Sequence, residues 1–450
     1  MFWKKIVYLH ILQSTWLQDK DVVYQRLMYI YSCMRVKKDK EKPTVHVASE
    51  YGRLNAVLLH RPGIEIEQMT PATAAEALYS DILSKPIVDK EYAAFCGVLE
   101  KWTRVYYVED VLAEILENDD VRQRLVSLCC RQDDCDHLAD TLMQHNSRRL
   151  AKELVEGVTY HSDTDPARFS NSRYVLKPLY TLFFTRDASS SVYVEVLINT
   201  MSFPVRQRET LIYKAIFEYY FGTQTFCASD ANRRARTEGG DVQVAGPDLL
   251  CIGQGIRTNN LGIMALARKF ANERKHFRIL VQELPRKPES FIHLDMVFTF
   301  LGAHSCMVYE PMLSKSDLFA GKATTLIECN GGKITTKEYP NILKGLKHCG
   351  MDLEPVLCGQ GEDWYQDREQ WHSGANFFAL GDGKVIGYER NRFTIEALNH
   401  AGFAVLDADE VCAGKVSMDD YDRFVVAFKA SELPRAGGGA RCMTMPINRS

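Results

Sequence analysis

Apolar and polar positions follow two rhythms along this chain. A short apolar run at 56–60, AVLLH, is closed by the turn RPG and predicts a buried strand. Similar runs recur at VYVEVLINT (192–200), LLCIG (249–253), RILVQEL (278–284) and KVIGY (384–388). Between 108 and 157 the period lengthens. There VEDVLAEILEN sets Val108, Leu112, Ile115 and Leu116 on one face at helical spacing, in a charged stretch nearly free of glycine and proline. This predicts a helical insertion.

The strand runs belong to a repeated order. VYVEVLINT leads into FPVRQRETLIYKAIFEYYF, LLCIGQGIR into TNNLGIMALARKF, and KVIGYER into NRFTIEALNHAGFAVL. Arg206, Arg257 and Arg390 fall at comparable points, where a strand ends and a helix begins. Degenerate strand–turn–helix–strand units predict a closed, pseudo-symmetric α/β architecture.

Composition narrows the class. With 450 residues, 46% hydrophobic and 25% charged, the chain has the make-up of a soluble globular protein. A net charge of -3 gives no general pull toward nucleic acid or anionic membrane. No run approaches the roughly 20 apolar residues of a membrane span. The start, MFWKKIVYLHILQSTWLQDK, has a broken apolar run and no small-residue cleavage site. Residues 1–43 therefore read as an amphipathic or poorly ordered extension, ending in the basic linker RVKKDKEKPT, before a folded body over 44–450. Thirteen unevenly spaced cysteines without a clear signal peptide imply reduced thiols and a cytoplasmic setting. Cys129, Cys130, Cys135 and His137 in CCRQDDCDH do not match tetrahedral zinc spacing and read as part of a helical surface, so no metal is expected.

Four stretches carry candidate chemistry. FFTRDAS contains Asp187, TEGGDVQV contains Glu238 and Asp241, and GGGARCMTMP ends a glycine run at Cys442. FIHLDMVF contains His293 and Asp295, whose i, i+2 spacing on a strand predicts that both face the same way. Singly, each has a plain structural explanation: a turn cap, a solvated carboxylate, a core histidine, a frayed terminus. Together they suit chemistry on a guanidinium. That group is planar, permanently charged and rich in donors, so carboxylates hold it in its plane. Its carbon is electrophilic but resonance-stabilised, which calls for a thiolate nucleophile and a histidine to protonate the departing nitrogen.

In this order, FTRD, EGGD, HLD and RCMTMP after a glycine loop resemble the arginine deiminases of the guanidino-group-modifying superfamily. SEYGRLNAVLLHRPG, RQRET, REQW…GANFFAL and VIGYERN match as well, so the resemblance runs from about residue 44 to residue 450. It implies a five-bladed α/β propeller with a helical insertion at 108–157. It also implies hydrolysis of L-arginine to citrulline and ammonia, with no cofactor, by a homo-oligomer (dimer or tetramer). Carried over by position, Cys442 would be the nucleophile and His293 the general acid and base. Asp187 and Asp295 would grip the guanidinium, Glu238 would assist proton traffic, Asp241 would lie close by, and Phe184 would line the slot. Arg206 and Arg257 would bind the amino-acid end. Two positions depart from the family pattern: Thr181 stands where asparagine is common, and Gly437 where a loop arginine is usual. Both bear on substrate recognition. A related guanidine enzyme, such as an amidinotransferase, and a non-catalytic arginine- or partner-binding relative are the competing readings.

Overall fold

The strand expected at 56–60 forms as Leu54–Leu59, with five of its six residues buried, which is why it reads as a continuous apolar run. It lies between an antiparallel neighbour, Met445–Arg449, and a parallel one, Arg104–Tyr107, reached through the helix Lys85–Trp102. The computed structural model in which this is seen describes residues 42–76, 79–159, 173–315 and 317–450. The expected N-terminal extension lies outside the described residues except for its last two positions. Residues 44–450 form one unit.

Among the described residues the same three-stranded arrangement, an antiparallel pair followed by a parallel crossover, occurs five times. Besides the one just given, Ser189–Val192 pairs with Glu195–Ile198, which takes Thr225–Phe226 in parallel. Val242–Gly246 pairs with Leu249–Gln254, which takes His276–Glu283. Phe298–Phe300 pairs with Ser305–Val308, which takes Glu354–Leu357. Phe378–Gly381 pairs with Lys384–Tyr388, which takes Phe424–Phe428. The crossover helices include Gln207–Ala215, Asn260–Glu273, Ile342–His348 and Arg392–His400. The long hairpin Thr324–Asn330 and Lys333–Tyr339 widens one sheet to five strands. The result is a mixed α/β protein, and none of its described helices is long and apolar enough to cross a membrane.

Helices Val108–Ile115, Asp119–Gln132 and Ser147–Glu156 occupy the stretch of helical periodicity. Asn118 and Asn146 cap the latter two through their side chains. Cys129, Cys130 and Cys135 are buried in the core these helices share with the neighbouring sheet, not on a helical surface. Among the described residues no group of three His, Cys, Asp or Glu side chains is placed to hold a metal.

Two local expectations are corrected. VYVEVLINT is not one strand: Tyr193 turns at φ +61° and splits it into a hairpin. FIHLDMVF is not a strand at His293 and Asp295. His293 is extended, while Leu294–Met296 is a short 3₁₀ turn, so strand alternation does not set their directions.

Candidate active site

Five segments meet, and each directly precedes the first strand of one unit. They end in Asp187, Asp241, Asp295, Asn376 and Cys442. Hydrogen bonds lace them into a closed circuit. Gly239 N–H donates to Asp187 O at 2.9 Å, and Asp295 N–H to Gly240 O at 3.2 Å. Asn376 Nδ2 donates to Asp295 O at 3.1 Å, and Arg441 N–H to Asn376 Oδ1 at 2.9 Å. Arg186 N–H donates to Cys442 O at 3.1 Å and closes the loop. The glycine pair is a packing requirement here. A Cβ at Gly240 would come within 2.4 Å of His293 Nδ1, and one at Gly239 within 2.0 Å of Arg186 O.

Inside this circuit lie the expected side chains. Phe184, Asp187, Arg206, Arg257, His293 and Cys442 line a cavity of about 570 Å3, together with Thr181 and Gly437. Glu238, Asp241 and Asp295 sit one layer back. His293 Nε2 is 3.0 Å from Glu238 Oε2, which also accepts from Arg257 Nη1 at 3.1 Å. Asp187 Oδ2 accepts from Arg206 Nη1 at 2.6 Å, and Arg206 also forks onto Glu209. Asp295 Oδ2 accepts from Arg441 Nη1 at 2.9 Å and lies 3.8 Å from Cys442 Sγ. Asp241 Oδ1 accepts from the Leu294 N–H at 2.9 Å, which fixes the turn behind His293. Among the site's buried polar atoms, Asp241 Oδ2 and Arg257 Nε have no partner, and neither have these three: Asp187 Oδ1, Asp295 Oδ1 and His293 Nδ1. The first and last of these are 3.8 Å apart.

The charges shift accordingly. Burial alone would lower the His293 pKa, but Asp187, Glu238 and Asp241 outweigh it and hold the imidazolium to about 9. Burial raises Glu238, yet Arg257 and His293 pull it well below the usual carboxylate range. Burial lifts Asp241 to about 7 and raises Asp295. Burial, Asp295 and Asp187 push the Cys442 thiol well above its ordinary value. Cys442 is therefore a protonated thiol beside a charged imidazolium.

Asn376 was not singled out from sequence, and Arg441 drew notice there only as a possible source of the missing loop charge. Asn376 Nδ2 is 3.2 Å from Cys442 Sγ, and its Oδ1 takes the Arg441 amide. Arg441 is buried between Asp295 and Glu50, which it meets at 3.0 and 3.1 Å. The signal was present, since Asn376 lies in GANFFAL and opens its unit as Asp187 and Cys442 open theirs. Of the departures from the family pattern, Thr181 donates to Glu209 and Gly437 turns at φ +88°.

By fold, the chain stands with an amidinotransferase from Microseira wollei that acts in saxitoxin biosynthesis. The TM-score is 0.52 at 16% identity, over 90% of this chain and 97% of the other. That likeness defines the architecture. Sequence defines the kinship: the arginine deiminase profile matches residues 76–449. The arginine deiminase of Limosilactobacillus fermentum is 30% identical over 90% of this chain and 98% of its own length. That of Borrelia recurrentis is 31% identical over the same shares. The chain belongs to the arginine deiminase family.

Proposed function

We propose that this protein hydrolyses L-arginine to L-citrulline and ammonia through an S-alkylthiouronium adduct on Cys442, within a five-bladed α/β propeller. The five repeated units and the circuit of hydrogen bonds through the segments that precede their first strands support the propeller. The observation that carries the chemistry is the set of unpartnered atoms around a buried thiol: Asp187 Oδ1, Asp295 Oδ1 and His293 Nδ1. The two carboxylate oxygens are buried acceptors, costly to leave open unless a ligand supplies donors, and a guanidinium supplies five, while the imidazolium Nδ1 is left free as a donor.

The cation also activates the nucleophile. The carboxylates that raise the Cys442 pKa are neutralised when a guanidinium sits between them, so the thiol releases its proton to solvent as substrate arrives. The thiolate attacks the guanidino carbon. The His293 imidazolium, steadied at Nε2 by Glu238, protonates the departing nitrogen from Nδ1, and ammonia leaves. Neutral His293 then takes a proton from water as the hydroxide adds to the thiouronium carbon. As the C–S bond breaks, the hydroxyl proton passes to the departing sulfur, releasing citrulline and restoring the Cys442 thiol. Arg206 and Arg257, paired with Asp187 and Glu238 on the cavity wall, bind the amino-acid end of the substrate, and the Phe184 ring lines the guanidinium slot.

Purified protein given arginine should yield citrulline and ammonia in equal amounts, and quenched reactions should carry an adduct on the Cys442 peptide. Absence of citrulline, or an adduct on any other cysteine, overturns the reading.

A further inference from the structure

Asn376 is a buried neutral amide set between the segment that carries Asp295 and the one that carries the nucleophile. Its Oδ1 accepts the Arg441 N–H at 2.9 Å and the Cys442 N–H at 3.4 Å. Its Nδ2 donates to Asp295 O at 3.1 Å and lies 3.2 Å from Cys442 Sγ, with Met296 Sδ further off at 3.8 Å. These partners fix which way the amide points. Turned over, it would set its NH2 group against two backbone N–H groups and its oxygen against a carbonyl. The atom that faces the sulfur is therefore the donor. Glycine permits the approach, since a Cβ at Gly439 would stand 2.5 Å from Asn376 Oδ1.

The ionisable groups around the sulfur pull in both directions. Asp295 Oδ2 lies 3.8 Å from Sγ, and Asp187 is the second carboxylate that favours the protonated thiol. Arg441 opposes them, but its Nη1 is held by Asp295 at 2.9 Å. His293 lines the same cavity, and Tyr388, which also feels the sulfur's charge, donates its hydroxyl to Gly438 O at 2.8 Å. A thiolate buried here has lost the water that would solvate it, so it needs donors already aimed at it. A neutral amide supplies one without adding a cation that would compete with the guanidinium for Asp187 and Asp295.

Resting on the proposed thiol chemistry at Cys442, we propose that Asn376 is a catalytic residue whose Nδ2–H stabilises negative charge on the Cys442 sulfur. The bond strengthens as the thiol loses its proton to solvent. It weakens once the sulfur shares its lone pair with the guanidino carbon. It strengthens again as the C–S bond breaks and charge returns to the sulfur before the proton does. The Oδ1 end holds the Arg441–Cys442 backbone, which keeps the donor and the sulfur in register.

Alkylation of Cys442 by iodoacetamide in the full-length enzyme, measured from pH 7 to 9 and quantified on the Cys442 peptide, reads the thiolate directly. Asn376→Ala should slow it about three- to thirtyfold at each pH, because less of the sulfur is ionised. Removing the amide widens access to the sulfur, so lost access cannot imitate this fall. In steady-state turnover of arginine, kcat should drop about ten- to a hundredfold with KM within about threefold, since the amide touches the sulfur and not the guanidinium. Asn376→Asp keeps the size and the Oδ1 acceptor but puts an acceptor where the donor was, so both losses should be at least as large. If Asn376→Ala does not fold, the aspartate variant decides alone. Alkylation as fast as in wild type, or a raised KM with kcat unchanged, overturns the proposal and leaves the hydrolase reading intact. Should the wild type form no citrulline, that reading fails, and the alkylation rates still decide whether Asn376 donates to the sulfur.

Discussion

Cys442 carries the most direct expectation at the residue scale. Cys442→Ser should retain substrate binding and lose at least about a thousandfold in turnover, since a hydroxyl is a far poorer nucleophile at neutral pH. Rapid-quench turnover with a parallel arginine titration checks this, and retained activity would remove the thiol from the chemistry. Asp187→Ala and Asp295→Ala should instead weaken binding as well, by about 2–5 kcal/mol each, because each leaves a desolvated cation without an acceptor. Equilibrium binding of arginine to each variant in a Cys442→Ser background measures the loss. The pH dependence follows from His293. With its pKa lifted from 6.5 to about 9, the imidazolium that must protonate the leaving nitrogen persists across neutral pH. The kcat/KM profile should therefore fall on the alkaline side near pH 9, and a falling limb near 6.5 would contradict the assigned acid. The charged members of this set were legible in sequence because their types announce a reaction. Asn376, Glu50 and the Arg441 side chain were not, because a neutral amide and a buried ion pair acquire meaning only from what they touch.

The loop that leads to Cys442 shows, at the scale of elements, why glycine runs there. A Cβ at Gly438 would stand 2.4 Å from the Phe184 ring, and one at Gly439 2.5 Å from Asn376 Oδ1. Gly438→Ala should displace either the loop or Phe184, costing about 1–3 kcal/mol as an overpacked contact and slowing turnover. Thermal denaturation read alongside activity locates that cost. If both match wild type, the loop does not pack on Phe184 during the reaction. Gly437 is different: nothing lies within 4 Å, but its backbone is left-handed. Gly437→Arg should therefore fit while losing about 1–2 kcal/mol of stability to strain, and should lower KM for arginine by adding a cation to the loop. A raised KM would mean that the new side chain blocks the entrance. The strand–turn–helix periodicity was readable because buried parallel strands are uniformly apolar. The Tyr193 turn was hidden for the opposite reason, since the first strand of its hairpin, Ser189–Val192, is three buried serines and a valine and does not read as an apolar strand. The 3₁₀ turn after His293 hid in an apolar run that alternates like a strand.

Closure governs the whole molecule. The last strand, Met445–Arg449, pairs with Leu54–Leu59 and completes the unit begun by the N-terminal part of the body, so Cys442 stands three residues before the seam. Three strand–helix repeats were visible in sequence. The seam was not, because nothing local links residues 54–59 to 445–449. His60 follows the central strand of that unit and is buried between two carboxylates, with Nε2 3.3 Å from Glu65 and Nδ1 3.3 Å from Glu109. Glu109 lies on the first helix of the 108–156 stretch, so the triad ties that stretch to the seam. Burial would lower the His60 pKa, but both glutamates outweigh it and raise it from 6.5 to about 9. A folded-state pKa above the unfolded one favours the proton-bound native state. The contribution is thus complete below about pH 6.5 and disappears as pH rises through about 9. Glu50 works at the opposite edge. Burial raises it, but Arg441 and Arg186 hold it down at about 2, so its share is complete above 4.5 and is lost as pH falls toward 2. Denaturant midpoints of wild type and His60→Gln, measured from pH 6 to pH 10, separate the histidine from every other group. The two proteins should differ most at pH 6 and converge by pH 9 to 10. A difference that does not change with pH would mean that His60 stabilises the seam by packing alone, with its charge irrelevant.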